Sequence, residues 1–258
     1  MIFSDLALAR RIEAAEAANA HGCTAIHPQA AAIEVAGGCA VFAGADSPLS
    51  HAVGIGLSGP VTEPEVDRLE AFFRSRGGNV SIELCPLADA GILRTLGGRG
   101  YRVTEFNNVL VKRLAGAAIV LTPRVRRALP DEADLWSHTV GRGFFEEHEL
   151  SPEEMDVGRA IYAMPGVLCY LAAVEGGELA GGAAAAAYSG LATLFADSTI
   201  AAYRCRGLHS ELIAARLNEA LAQGCELATA STLPGSISQR NYERMGFEVV
   251  YTRVTLEG

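Results

Sequence analysis

Tyr203-Arg204-Cys205-Arg206-Gly207-Leu208-His209 stands between an alternating strand pattern, LATLFADSTI at 191–200, and an amphipathic helical pattern running from Leu208 to Gln223. A turn with two arginines and a glycine thus feeds a helix start, whose unpaired N–H groups and positive dipole end suit a pyrophosphate. Gly207 lets the backbone come close to such a group. Upstream, LCYLAAV (168–174), the turn Glu175-Gly176-Gly177-Glu178 and ELAGGAAAAAYSG (178–190) read as antiparallel strands joined by tight glycine turns, and residues 131–163 carry two helical patterns. Downstream, Gly224 stops the long helix and ELATAS (226–231) forms a strand. After Pro234 a helix spans 236–245, and Gly246-Phe247-Glu248-Val249 runs into the strand VVYTRVTL.

The first half repeats this order. Thr62-Glu63-Pro64-Glu65 is a capping box that starts a helix, Val66, Leu69, Phe72 and Phe73 recur at helical spacing, and Gly77-Gly78 stops it. VSIEL (80–84) follows as a strand, then Pro86, a helix over 88–96, Gly100-Tyr101-Arg102-Val103, and the strand EFNNVLVKRL. From the helix-stop glycine to the glycine before the aromatic is 23 residues in the first copy (77 to 100) and 22 in the second (224 to 246). The spacing predicts two copies of one β-α-β-α-β unit, an α/β (α+β mixed-sheet) architecture. The expected domains are 1–113 and 131–258, joined by a linker at 114–130 that contains a short crossing strand.

Two domains also suit a chain of 258 residues, and a half-hydrophobic, one-fifth-charged composition supplies the cores they need. The net charge of −9 removes any overall attraction to nucleic acid or an anionic membrane. Six scattered cysteines (Cys23, Cys39, Cys85, Cys169, Cys205, Cys225) form no C-x-x-C pair and read as reduced thiols of a cytoplasmic protein. The opening MIFSDLALARRIEAAEAANA meets Asp5 at once and reads as a surface helix rather than a leader, and the apolar run Ala183–Ala187 is too short to span a bilayer. Histidines 21, 27, 51, 138, 148 and 209 have no metal-ligand spacing, and no G-x-S-x-G elbow occurs, so neither a metal nor a serine nucleophile is expected. Gly54-Ile55-Gly56-Leu57-Ser58-Gly59, with Glu83 farther on, has the spacing of a dinucleotide fingerprint. Pro60 and the separate cap at Thr62 make it a glycine-rich strand and turn instead.

Ser236-Ile237-Ser238-Gln239-Arg240-Asn241-Tyr242-Glu243-Arg244-Met245-Gly246-Phe247 completes the pattern begun at Arg204. Together the two segments resemble the GNAT acetyltransferase superfamily, whose cofactor loop reads [R/Q]-x-x-G-x-[G/A] and whose later helix ends Y-x-x-x-G-F. The loop maps to Arg204, Gly207 and His209, the last an imidazole where the family has a small residue. Gly235 stands where many members have an asparagine, and Ser238 suits the small-residue position after it. The resemblance covers about 131–258; over 1–113 it extends to element order alone, so that half reads as a degenerate GNAT-like domain.

The resemblance implies a tandem GNAT-like acyl-CoA N-acyltransferase fold. Acetyl-CoA is then the cosubstrate, with no metal, and the acetyl group passes to a primary amine of a small molecule or amino acid. Carried over, Tyr242 is the general acid. Ser198, Thr199 and Ile200, after Asp197, pair with pantetheine, while Arg204, Cys205, Arg206, Gly207, Leu208 and His209, with Ser238, hold the rest of the cofactor. No single base stands out. The carboxylates on hand are Asp197, which strict alternation puts on the face of Thr193 and Phe195, and Glu146 and Glu147. The expected partner is a small-molecule amine acceptor, not nucleic acid or membrane, with a homodimer left open. A non-catalytic module that senses acetyl-CoA is the alternative: His209 and the missing asparagine favour it, and Tyr242 favours the enzyme. In the first half, Thr62 caps the matching helix, Glu63 and Glu65 repel phosphate, and Leu96 replaces the tyrosine. One cofactor per chain is expected.

Overall fold

The computed structural model describes residues 2–25, 30–45, 47–116, 118–146 and 149–258; His27, Glu147 and His148 lie outside them. In chain order the elements are α1 (Leu6–Gly22), β1 (Ala31–Val35), β2 (Gly38–Phe42), β3 (His51–Val53), α2 (Glu63–Arg74), β4 (Ser81–Leu84), α3 (Gly91–Gly98) and β5 (Arg102–Arg113). Then come β6 (Val125–Arg127), α4 (Ala133–Phe145), α5 (Pro152–Ala163), β7 (Leu168–Ala173), β8 (Leu179–Tyr188), β9 (Leu191–Thr199), α6 (Leu208–Ala222), β10 (Leu227–Thr232), α7 (Ile237–Arg244) and β11 (Glu248–Glu257). The helix expected from residue 88 begins at Gly91, because Ala88 first turns back onto Cys85 O and the Asp89 carboxylate takes the Gly91 N–H. The chain divides into two compact units: Met1–Leu110 with Thr232–Pro234 and Val249–Gly258, and Val111–Ser231 with Gly235–Glu248.

The first unit orders its strands β1-β2-β3-β4-β11-β5. Its core gathers Val66, Leu69, Phe72 and Phe73 of α2 with Ile82, Leu84, Ile92, Leu96 and Leu256. Glu65 reaches back to accept the Thr62 N–H at 2.8 Å, closing the α2 start with its own carboxylate. At Gly54–Gly59 the backbone turns without opening a helix, and α2 starts at Glu63. Strand β11 differs from the sequence expectation, which put all of 131–258 in the second domain. It pairs antiparallel with β4, from Val254↔Leu84 to Glu257↔Ser81. A buried charge cluster fixes it there: Arg253 contacts Glu13 at 2.9 Å and Glu83 at 2.8 Å, and Tyr251 OH donates to Glu13 at 2.7 Å.

This cluster sets three carboxylates against one guanidinium, since Glu16 also lies 3.8 Å from Arg253. Burial pushes the Glu16 carboxyl up to about 7, with Glu83 and Glu13 adding to the shift and Arg253 opposing it. A raised carboxyl pKa means the folded state holds a proton that the unfolded state releases, so stability falls as pH rises from about 4.5 to 7. Glu16→Gln is therefore expected to stabilise the protein by about 1–3 kcal/mol at pH 8 and not at pH 4. Urea titrations at the two pH values check this; equal effects at both would refute it.

The second unit orders its strands β10-β9-β8-β7-β6. Strand β8 is almost all glycine and alanine (LAGGAAAAAY), and these small side chains let α4 close on one face while α6 closes on the other. From α4, Trp136 is fully buried and donates its indole N–H to Tyr170 O at 3.1 Å. From α6, Leu208, Leu212 and Ala215 pack on Tyr170, Ala172, Ala180 and Ala183. The crossing strand expected in the linker is β6, antiparallel to β7. Among the described residues no helix is long and apolar enough to cross a membrane, and no His/Cys/Asp/Glu group could hold a metal ion.

Candidate functional site

Strands β9 and β10 run in parallel register from Leu191↔Leu227 to Leu194↔Ala230, and there the pairing ends. Residues 195–199 continue along β8 alone, so the sheet opens on the β10 side of β9. A bulge marks the opening. Phe195 faces Ala184 and Ser198 faces Gly182, three steps on β9 against two on β8, and Ala196 takes a left-handed φ of 55°. The bulge reverses the side-chain alternation. Phe195 packs with Trp136 and Val140 below α4, and Ser198 Oγ donates to Val140 O on that same side at 2.7 Å. Asp197 instead turns to the α6 side, away from the face where strict alternation put it, and meets Arg216 and His209. Gly143 on α4 sits so close to Ser198 that a Cβ there would collide with Oγ.

The loop after β9 ends at Gly207, which begins α6 with φ 81° and no side-chain cap. Cys205 also has positive φ, at 63°, and is exposed. The α6 start thus has no side-chain cap and stays open to an anion, whereas at α2 the Thr62–Glu65 capping box occupies the start and adds a negative charge. Leu208 anchors the helix in the core. Two loop arginines are engaged elsewhere: Arg204 pairs with Glu146 at 2.7 Å and donates to Gly143 O and Thr199 O, while Arg206 lies 5.3 Å over the Tyr203 ring. Ile200 N donates to Ala180 O, so this residue belongs to the β8 side of β9. Ser238 is half-buried in the first turn of α7, next to the capping Ser236.

Below the opening lies a buried polar network. Arg216 is fully buried and binds Asp197 through both terminal nitrogens, Ala184 O at 3.0 Å and Leu212 O at 3.0 Å. Tyr242 OH donates to Asp197 Oδ2 at 2.7 Å and lies 3.4 Å from Arg216 Nη2. His209 Nε2 stands 3.1 Å from Asp197 Oδ1, and Asn241 Nδ2 donates to His209 Nδ1 at 2.9 Å. An amide nitrogen only donates, so the lone pair is on Nδ1 and Nε2 carries the hydrogen. The imidazole at the family's small-residue position therefore points into the network. Burial pushes the Asp197 carboxyl up, but the charge of Arg216 and the hydrogen bonds from His209 and Arg216 win and hold it well below the usual carboxylate range. Burial raises the Tyr242 phenol well above 10, Arg216 opposes this, and Asp197 reinforces it. The phenol keeps its proton at neutral pH.

The opened edge of β9 thus lies beside a helix start without a side-chain cap. Residues 134–247 match the family model described as the acetyltransferase (GNAT) family. The second unit is a GNAT-family domain. Among solved structures, a GCN5-related N-acetyltransferase from Kribbella flavida is 20% identical, with a TM-score of 0.70 over 96% of this chain and 95% of its own. A tandem GNAT protein from the clavulanic acid biosynthesis pathway is 15% identical, with a TM-score of 0.61 over 98% and 93%. A GCN5-related N-acetyltransferase from Sphaerobacter thermophilus is 15% identical, with a TM-score of 0.58 over 89% and 75%. At such identities the likeness is one of fold, and the fold is a tandem GNAT fold. No curated protein matches the chain.

Sequence reasoning missed two features of the GNAT domain. Arg216 carried a signal, because it stands in the apolar stretch Leu212-Ile213-Ala214-Ala215-Arg216-Leu217, where a buried charge demands a partner. Arg124, next to the GNAT domain's loop, carried none: it lies in 114–130, which the sequence presents as a linker but which belongs to the second unit, and only the fold brings it there. Glu146 is tied to Arg204, and Asp197 is held by four donors, so neither carboxylate is an unengaged base in this geometry.

Proposed function

We propose that this protein is an acetyl-CoA-dependent N-acetyltransferase that moves the acetyl group to a primary amine of a small molecule or amino acid. The observation that carries this reading is the gap after Leu194↔Ala230, opening beside the uncapped start of α6. The free β9 edge suits an amide-bearing pantetheine arm, and the Gly207 turn suits a pyrophosphate. Acetyl-CoA, when bound, supplies an activated thioester. The chain's part is to orient the acceptor amine and to provide a proton for the departing sulfur. Tyr242 is the proton donor in this reading, and Arg216 Nη2, 3.4 Å from its oxygen, offsets the negative charge left behind. In this reading the first unit holds no second cofactor, because the Thr62–Glu65 capping box and the charges of Glu63 and Glu65 oppose a phosphate at its matching helix start.

Purified protein with acetyl-CoA and a panel of amines should release CoA, and a titration should give one equivalent per chain. Tyr242→Phe should lower kcat by about 10²–10⁴-fold with little change in acetyl-CoA affinity. An unchanged kcat, with chemistry shown to limit turnover, would remove Tyr242 from the mechanism. The second reading is an acetyl-CoA-sensing module, and the observation favouring it is that the Tyr242 hydroxyl is spent on Asp197. A melting shift with acetyl-CoA but no CoA release across the panel would select it. Absence of any melting shift would sink both.

A further inference from the structure

The resemblance gives the cofactor loop an arginine at position 204, yet that guanidinium is consumed. Its three nitrogens face Thr199 O, Glu146 and Gly143 O, joining β9 to the end of α4. A different cation stands beside Gly207. A Cβ placed on that glycine would meet Arg124 Nη2 at 3.7 Å, and Arg124 Nη1 donates to Arg206 O at 3.2 Å within the loop. Arg124 belongs to the segment before β6, which runs as a strap along α6. Asn218 clamps it through two hydrogen bonds of 2.8 Å to Ile119, one to the N–H and one to the C=O. Farther along, Thr122 Oγ1 and the Arg124 guanidinium both bind Glu211, and Ala173 N donates to Arg124 O at 2.8 Å.

The fork of Arg124 is thus pinned from its backbone, from Glu211 and from the loop carbonyl, while its side chain stays one-third exposed. Glu211 lies in the first turn of α6, where a carboxylate opposes an incoming phosphate. Pairing with Arg124 cancels that charge and leaves further guanidinium N–H groups for an oxygen ligand. We infer that Arg124, delivered by the strap before β6, is a ligand for the cofactor pyrophosphate and takes the side-chain role that the loop motif gives to Arg204. This rests on the reading that the GNAT domain binds acetyl-CoA.

The test is calorimetric titration of the full-length chain with CoA and with dephospho-CoA, which keeps the pyrophosphate and lacks the 3′-phosphate. Arg124→Ala should weaken both by about tenfold or more, to the same extent, and Arg124→Lys should recover part of the loss. Glu211→Gln, which keeps the arginine and removes the opposing charge, should bind CoA at least as tightly as the parent. Undiminished CoA binding by Arg124→Ala would overturn the assignment, and so would a loss seen with CoA alone, which would move Arg124 to the 3′-phosphate. Weakened binding by Glu211→Gln would overturn it too, by showing that the ion pair acts as a brace. Failure of the parent chain to bind CoA would instead strike the proposed function itself and take this inference with it.

Discussion

Arg216→Met is expected to destabilise the GNAT domain by about 3–5 kcal/mol, a large part of the stability of an ordinary domain. Methionine fills much of the volume, so the loss is electrostatic. Asp197 would remain largely buried with its cation gone, and Ala184 O and Leu212 O would each lose a side-chain donor. Denaturant titration of Arg216→Met, Asp197→Leu and the double variant checks this. The double variant should regain most of the loss, since it removes the stranded charge along with its partner. The pH dependence has a definite sign. A carboxyl held below its unfolded value stabilises the fold above that value and loses its contribution as pH falls through the acid range. The parent should therefore lose stability on acidification more steeply than Arg216→Met. A single variant within about 0.5 kcal/mol of the parent would show that the network is not a determinant of stability.

Gly207→Asp should abolish acetyl-CoA binding, with affinity falling by roughly 100-fold or more through charge repulsion added to lost backbone approach. At φ 81° any side chain is strained, and the new carboxylate would lie at the open start of α6. Aspartate there can also cap the helix, as Thr62 does in the capping box of α2. The substitution thus turns an open anion site into a closed one, and the fold should survive. The check is a melting scan with and without millimolar acetyl-CoA. The parent should shift by the amount mass action requires and the variant should not, and a full ligand shift in the variant would move the phosphates elsewhere.

Much of the architecture was legible because local signals agreed with one another. The glycine stops, the capping box at Thr62 and the alternating runs located α2, α6, α7 and strands β7 to β10 within a few residues, and Gly207 proved to be the helix N-cap. Where the sequence misled, a non-local cause prevailed. Ala196 adopts a left-handed conformation without a glycine to announce it, so the facing of Asp197 was misread by one step. Arg204 fits the motif by position, yet its guanidinium finds Glu146, which is 58 residues away along the chain. His209 stands where the family has a small residue, but Asp197 and Asn241, each on another element, draw the ring inward. Partner choice of this kind depends on which side chains the fold brings together, and spacing carries no trace of it.

Strand β11 has a consequence for the order of events during synthesis. The first unit needs residues 249–258 to complete its sheet, and it needs Arg253 to neutralise Glu13 and Glu83. An emerging chain that has reached residue 113 has the helices and most of the strands of that unit, but it lacks the strand between β4 and β5. Domains commonly fold as they leave the ribosome, N-terminal first. Here the earlier half must wait, with apolar strand edges unpaired, while the whole GNAT domain is made. Any truncation that removes the last ten residues should therefore damage the half of the protein farthest from the cut.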